Sequence, residues 1–126
     1  MVTAHLRSYR QSPRKVRLVA GLLSGKSVPN ALQELAFLDK RAALPVRKLI
    51  ESAVANAKNA LGLLPENLFI KELRVDKAPV LKRSMPRARG SAFPIHKHSS
   101  HVSVTLIEYT PVIKEKKATI SKTLTS

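Results

Sequence analysis

Lys77-Ala78-Pro79-Val80-Leu81-Lys82-Arg83-Ser84-Met85-Pro86-Arg87-Ala88-Arg89-Gly90 opens a run of twenty-five residues, 77–101, that holds not one acidic side chain. A stretch this basic and this poor in large apolar residues cannot fold onto a core of its own. Its like charges drive it into an extended form unless an anionic partner screens them. Strand patterns flank it: Leu68 to Ala78 on one side and His101 to Tyr109 on the other, where Val102, Val104 and Leu106 alternate with Ser103 and Thr105. Pairing these two strands antiparallel turns the basic run, about 78–101, into the arms of one hairpin. Each arm extends about ten residues beyond the sheet, or roughly 30 Å. Ordinary hairpin loops are far shorter, and long ones are usually functional or disordered. The alternation slips between Ile70 and Leu73, which predicts a bulge or a late strand start.

Three amphipathic helices and a first strand, Thr3 to Arg10, precede this hairpin. Ser12-Pro13 supplies an N-cap and a proline at the first helical position, after which Val16, Val19, Ala20 and Leu23 recur at helical spacing up to Gly25. Ser27 caps a second, short helix with Pro29 in its first turn and Val28, Ala31, Leu32 and Leu35 on one face. The third runs from about Asp39 to Leu61, with Ala43, Val46, Ile50, Ala53, Val54, Ala57 and Leu61 inward and Gly62 as its stop. Pro45 allows two starts: a helix capped by Asp39 is kinked at the proline, whereas one starting at Leu44 holds it without strain. Outside the arm and the last sixteen residues there is chain enough for one small core, so residues 1–110 read as a single domain. Residues 111–126, with Lys114, Lys116, Lys117 and Lys122 against Glu115, read as a basic, flexible tail.

The chain carries 23 Lys and Arg against 8 Asp and Glu, a net charge of +15 over 126 residues. Charge of this size raises the affinity and association rate for any polyanion, RNA and DNA foremost. No segment approaches the roughly 18 to 20 consecutive apolar residues of a membrane span, and Met1-Val2-Thr3-Ala4-His5 lacks the layout of a signal peptide. There is no cysteine, hence no disulfide and no thiolate metal site. The chain reads as intracellular. Aromatic content of 4% argues against binding by serial base stacking and leaves phosphate contact to carry the affinity.

Three motifs offer other chemistry, and each has a simpler reading. Gly21-Leu22-Leu23-Ser24-Gly25-Lys26-Ser27 has a P-loop look, but Ala20 stands where the first glycine is needed and a helix precedes it instead of a strand. A helix stop followed by a new cap accounts for it. His96 and His98 lie at a spacing that could share one side of a strand, yet no carboxylate or thiolate accompanies them and the surroundings are cationic, so no metal or other cofactor is expected. Lys48, Glu51 and Ser52 are close on the third helix, where Lys48 and Glu51 make a helix-surface ion pair. No catalytic constellation stands out, and the chain reads as a non-enzyme. The distribution of charge is more specific. Arg7, Arg10, Arg14, Lys15, Arg17 and Lys26 all precede the first acid, Glu34, and Lys77, Lys82, Arg83, Arg87, Arg89, Lys97 and His98 lie in the arm. The middle of the chain mixes both signs, as a solvated surface does. The segregated basic residues are the candidate nucleic-acid contacts. A free DNA-binding or nucleic-acid chaperone protein, or an RNA enzyme with a hidden site, would share this footprint.

The pattern Lys82, then Arg87-Ala88-Arg89-Gly90-Ser91, then His101-Val102-Ser103-Val104-Thr105-Leu106 resembles the signature of the bacterial-type large-subunit ribosomal protein 22 family. Ser12-Pro13-Arg14-Lys15-Val16-Arg17-Leu18-Val19-Ala20 with Gly25-Lys26, and Glu51-Ser52-Ala53-Val54-Ala55-Asn56-Ala57, match its earlier segments in the same order. The resemblance covers about residues 4 to 108. It implies an α+β fold, three helices packed on a small three-stranded antiparallel sheet with the long hairpin. It implies a cytoplasmic, ribosome-bound protein, with an organellar ribosome left open, whose partners are large-subunit (23S-type) rRNA, neighbouring large-subunit proteins and the nascent polypeptide. The domain would sit near the tunnel exit and aid subunit assembly. The hairpin would thread inward so that its tip, Leu81, Lys82, Arg83, Ser84, Met85, Pro86, Arg87, Ala88, Arg89 and Gly90, lines the exit tunnel near the macrolide site. Gly90 would give the turn its backbone freedom. Ser91, at a position often basic in relatives, and Phe93-Pro94 depart from the family pattern.

Overall fold

The computed structural model describes residues 1–109: strand β1 (Val2–Tyr9), helices α1 (Pro13–Leu23), α2 (Val28–Phe37) and α3 (Ala43–Leu61), then strands β2 (Leu68–Pro86) and β3 (Ala92–Glu108). Short 3-10 turns occupy Pro65–Asn67 and Ala88–Gly90. The strands form one antiparallel sheet in the order β1-β3-β2, so the expected α+β architecture, with its long hairpin, is observed. The tail expected over 111–126 lies outside the described residues.

Helix boundaries follow from backbone chemistry. Ser12 precedes α1 as expected but caps it through its carbonyl, which accepts from the N–H groups of Lys15 (3.1 Å) and Val16 (3.3 Å), and its hydroxyl makes no capping bond. Pro13 at the start has no N–H to leave unsatisfied. Helix α3 starts at Ala43 and not at Asp39, which places Pro45 in the first turn, where its missing N–H breaks no helical bond and no kink is needed. At the other end Gly62 adopts φ +65°, which lets its own N–H reach the Lys58 carbonyl (3.0 Å) and that of Leu63 reach Ala57 (3.4 Å).

One side of the sheet carries the core. Helix α1 lies against β2 and β3, α3 against β1 and β3, and α2 against α3. Val16, Val19 and Leu23 of α1, Val28 and Ala31 of α2, and Val46, Ile50, Ala53 and Ala57 of α3 are buried against Leu68, Ile70, Val102, Val104 and Leu106 of the sheet. Leu32 of α2 is only partly buried, and on α3 two expected core positions differ. Leu61 is exposed at the last turn of α3 and Val54 is only partly buried, while Leu49, one residue before Ile50, is buried. The inward stripe of α3 is therefore turned toward Leu49 and away from Val54. Ion pairing differs too: Glu51 binds Arg47 one turn earlier (3.0 Å) and not Lys48, since i,i+4 is the better reach on a helix.

The expected bulge in β2 is at Lys71, where pairing passes from Ile70↔Leu106 to Glu72↔Thr105. A second irregularity lies between Ala78↔Ser99 and Leu81↔Lys97, at Pro79, which has no N–H to give a ladder. Beyond it the basic run is regular structure. The strands expected to end at Ala78 and to begin at His101 continue in register to Pro86↔Ala92, so the arm is a two-stranded ribbon standing clear of the core. Both its strands are edges, which tolerates Pro86 and Pro94 and, with the lysines and arginines, blocks pairing with a further strand.

Core and arm should therefore be energetically separable. Ile50→Ala is expected to lower stability by about 2 to 5 kcal/mol through a cavity. Replacing Lys82–His96 by an Asn-Gly turn should change it by less than about 1 kcal/mol, because no core side chain is lost. Denaturant titration of the full chain and both variants measures the contrast; equal losses would mean that the arm packs on the domain.

Candidate RNA-binding surface

Tertiary structure joins two basic segments far apart in sequence. The first turn of α1 faces the root of the arm, and Arg14, Arg17, Lys77 and His98 line one cleft there together with Ser12 and Val80. Arg17 is fixed in it: its Nε (3.3 Å) and Nη2 (3.1 Å) both donate to the Val75 carbonyl on β2. The acid-poor start of α1 and the acid-free start of the arm thus form a single cationic surface.

Arg7 lies elsewhere, in a shallow cleft along the β1–β3 edge with His5, Ser8 and His101. This edge is shaped by a bulge that the alternation did not reveal. Leu6 pairs with Val102 and Tyr9 with Ser100, so Arg7 and Ser8 together oppose His101. Ser8 takes φ +54°, and its N–H donates to His101 Nδ1 at 2.9 Å. Arg10 follows the strand in the turn to α1, and Lys15 is exposed on α1. Lys26 is the candidate whose charge is already answered, since its Nζ is 2.6 Å from Glu34 Oε1 and Oε2. The glycine beside it, which gave the P-loop likeness, makes a different contact. Gly25 at φ +80° donates to the Ile70 carbonyl (2.9 Å), and Ile70 donates back to Lys26 (2.9 Å), so the turn is stitched to the sheet.

On the arm, ion pairs are absent among the described residues for Lys77, Lys82, Arg83, Arg87, Arg89 and Lys97. Cross-strand pairing assigns them to faces: Lys82 opposes His96 on one face, while Arg83 opposes Ile95 and Leu81 opposes Lys97 on the other. His96 thus neighbours a lysine and His98 lines the root cleft, and no group of three metal-ligating side chains occurs among the described residues. Leu81 to Pro86, expected as tip, are paired strand. The turn itself is Arg87 to Ser91, closed by Arg87 N–H to the Ser91 carbonyl (2.9 Å) and Ser91 hydroxyl to the Ala88 carbonyl (2.9 Å). Gly90 supplies a positive φ as expected, and Arg89 also takes one, φ +60°. A contact that sequence did not suggest is that of Arg87, whose guanidinium carbon lies 5.3 Å from the Phe93 ring centroid.

The sequence profile described as ribosomal protein L22p/L17e matches residues 4–107, which include both basic segments and the whole arm. The chain belongs to this family. Curated relatives named large ribosomal subunit protein uL22 are similar over nearly their full length. That of Herpetosiphon aurantiacus is 50% identical over 101 residues, covering 80% of this chain and 89% of the relative. Those of Myxococcus xanthus (50% over 108 residues; 84% and 95% covered) and Bdellovibrio bacteriovorus (48% over 107; 85% and 97%) are alike. The family is one of structural ribosomal components and not of enzymes.

The cleft separates two kinds of arginine. Arg17→Ala should lower domain stability by about 1 kcal/mol, because the Val75 carbonyl loses its donors. Arg14→Ala should leave it within about 0.5 kcal/mol while weakening RNA binding, since its exposed guanidinium makes no ion pair among the described residues. Paired thermal melts and filter-binding measurements distinguish them.

Proposed function

We propose that this protein is a structural constituent of the large ribosomal subunit that binds large-subunit rRNA, aids subunit assembly and lines the nascent-peptide exit tunnel with its hairpin. Residues 1–110, the arm included, act as one RNA-binding domain, and the basic tail 111–126 follows it. The protein works in the cytoplasm on the ribosome, beside neighbouring large-subunit proteins and the nascent polypeptide. Among the described residues no helix is long and apolar enough to cross a membrane.

The observation that carries this reading is the arm itself: a ribbon roughly 30 Å long, without an acid from 77 to 101, projecting from a domain with which it makes no ion pair among the described residues. Such a ribbon is marginal alone in water and gains order from phosphates around it. Arginine suits that task through its forked donors. The cleft at the arm root supplies a second anchor on the domain, and its distance from the tip divides the labour between attachment and tunnel wall.

Sedimentation of a cell extract tests the assignment: the protein should move with large subunits and polysomes, and a predominantly free or nucleoid-bound pool would overturn it. Binding to large-subunit rRNA should fall steeply with salt. If about six cations meet phosphates, log K against log salt has a slope of roughly −4 to −5, and a slope near zero would refute phosphate-led binding. Deleting Leu81 to Arg83 should leave the protein in large subunits but alter macrolide susceptibility or stalling on arrest peptides. Removing three residues from one strand also reverses the facing of what remains, since strand side chains alternate. Charge reversal at Arg14, Lys15 and Arg17 should instead reduce incorporation during assembly. Unaltered responses to macrolides and arrest peptides in the tip deletion would sink the tunnel role.

A further inference from the structure

The distal arm has two unlike faces. The partners Met85↔Phe93, Arg83↔Ile95 and Leu81↔Lys97 share one, and Pro86↔Ala92, Ser84↔Pro94 and Lys82↔His96 share the other. Every large apolar side chain of the arm beyond Val80 is therefore on the first face. The domain does not cover it: Phe93 is 52% exposed, Met85 47% and Ile95 37%. A bare ribbon has no second layer, so this stripe is either a liability or a contact. Its rim is wholly cationic, with Arg83 and Lys97 within the face and Arg87 drawn over the Phe93 ring at 5.3 Å.

A partner for this face must offer a flat apolar surface and negative charge within a few ångströms of each other. A polypeptide segment offers an anion beside apolar side chains only where its sequence supplies Asp or Glu at the right spacing. An unpaired nucleobase has a π-face and its own phosphate on the same residue, and aromatic stacking with arginine alongside is how single-stranded nucleic acid is held. The scarcity of aromatic residues, which argues against stacking a series of bases, leaves room for one.

We propose that Phe93, backed by Met85 and steadied by Arg87, is a stacking site for a single unpaired base of the large-subunit RNA, whose flanking phosphate is met by Arg83 and Arg87. The inference rests on the reading of the arm as an RNA-seated element and adds its orientation. The Phe93 face lies on RNA, and the distal part of the other face, Ser84, Pro86, Ala92 and Pro94, with small or ring-closed side chains, is turned away from it; Lys82 and His96 stand on that second face nearer the root.

The test uses large subunits purified from cells carrying the wild-type protein, Phe93→Leu or Phe93→Tyr. Leucine keeps the apolar contact with Met85 and removes the ring, so a purely structural role would leave the RNA unchanged. Under short-wave ultraviolet light, wild-type particles should yield a nucleotide adduct on Phe93 by mass spectrometry. Dimethyl sulfate and carbodiimide probing should show one base about 5-fold or more reactive in Phe93→Leu, and within about 2-fold of wild type in Phe93→Tyr. No adduct on Phe93, or an adduct to nascent peptide in its place, would overturn the proposal. Equal base reactivity in the three particles at equal protein occupancy would do so as well. If Phe93→Leu fails to assemble, the wild-type adduct alone decides. Absence of the wild-type protein from large subunits is a different failure, that of the ribosomal reading, and the gradient position of the protein reveals it separately.

Discussion

The antiparallel pairing of β2 with β3 is the interaction on which the rest of the molecule depends. It begins at Leu68↔Glu108 among buried side chains and ends at Pro86↔Ala92 in the open, so one ladder serves both the core and the arm. In its buried half β3 is the central strand, and its face with Val102, Val104 and Leu106 meets α1 and α3. Register is pinned there, because a slip of one residue would turn those side chains out of the core. The outer half inherits that register with little stabilisation of its own. The faces of the arm are therefore set by packing far from the tip, modified by the Pro79 irregularity.

Charge acts on this frame in two ways. Within the domain part of it is answered: Lys26 by Glu34, Arg47 by Glu51, Arg74 by Asp76, and Arg17 by a backbone carbonyl. These exposed pairs contribute little stability each, but they remove the cations concerned from competition for an external anion. Along the arm and at its root no carboxylate pairs with the cations among the described residues, and only backbone carbonyls meet Arg17 and Arg83. Self-repulsion there opposes any collapse of the ribbon, and counter-ion release would reward its burial against RNA in the proposed assembly. The same feature thus disfavours compaction of the free protein and favours its assembled state.

The arm also shows how an exposed strand pair stays usable. Prolines at Pro79, Pro86 and Pro94 interrupt its hydrogen-bonding edges, and basic residues discourage a second copy from adding to them. What remains available is a face and not an edge. That agrees with recognition by stacking and phosphate contact and disfavours strand addition.

Much of this was determined by sequence alone. Val16, Val19 and Leu23, or Val102, Val104 and Leu106, announce their elements because burial on one side imposes a period that composition must obey. Charge segregation pointed to the proposed polyanion partner for the same kind of reason, since charge is counted without knowing geometry. Tertiary structure decided the rest. Pro45 left two starts for α3, and only packing chose Ala43. The basic run could have been coil, and its ribbon form follows from register handed on by the buried half of the sheet. That Arg14 and Arg17 share a cleft with Lys77 and His98 depends on how α1 lies across β2, a long-range contact that no local pattern encodes. The pairing of Lys26 with Glu34 and of Arg87 with Phe93, like the bulge at Ser8, depends on distances across turns. Local periodicity therefore determined which elements form and which partner they suit, and only the packed chain decided which cations stand free to meet it.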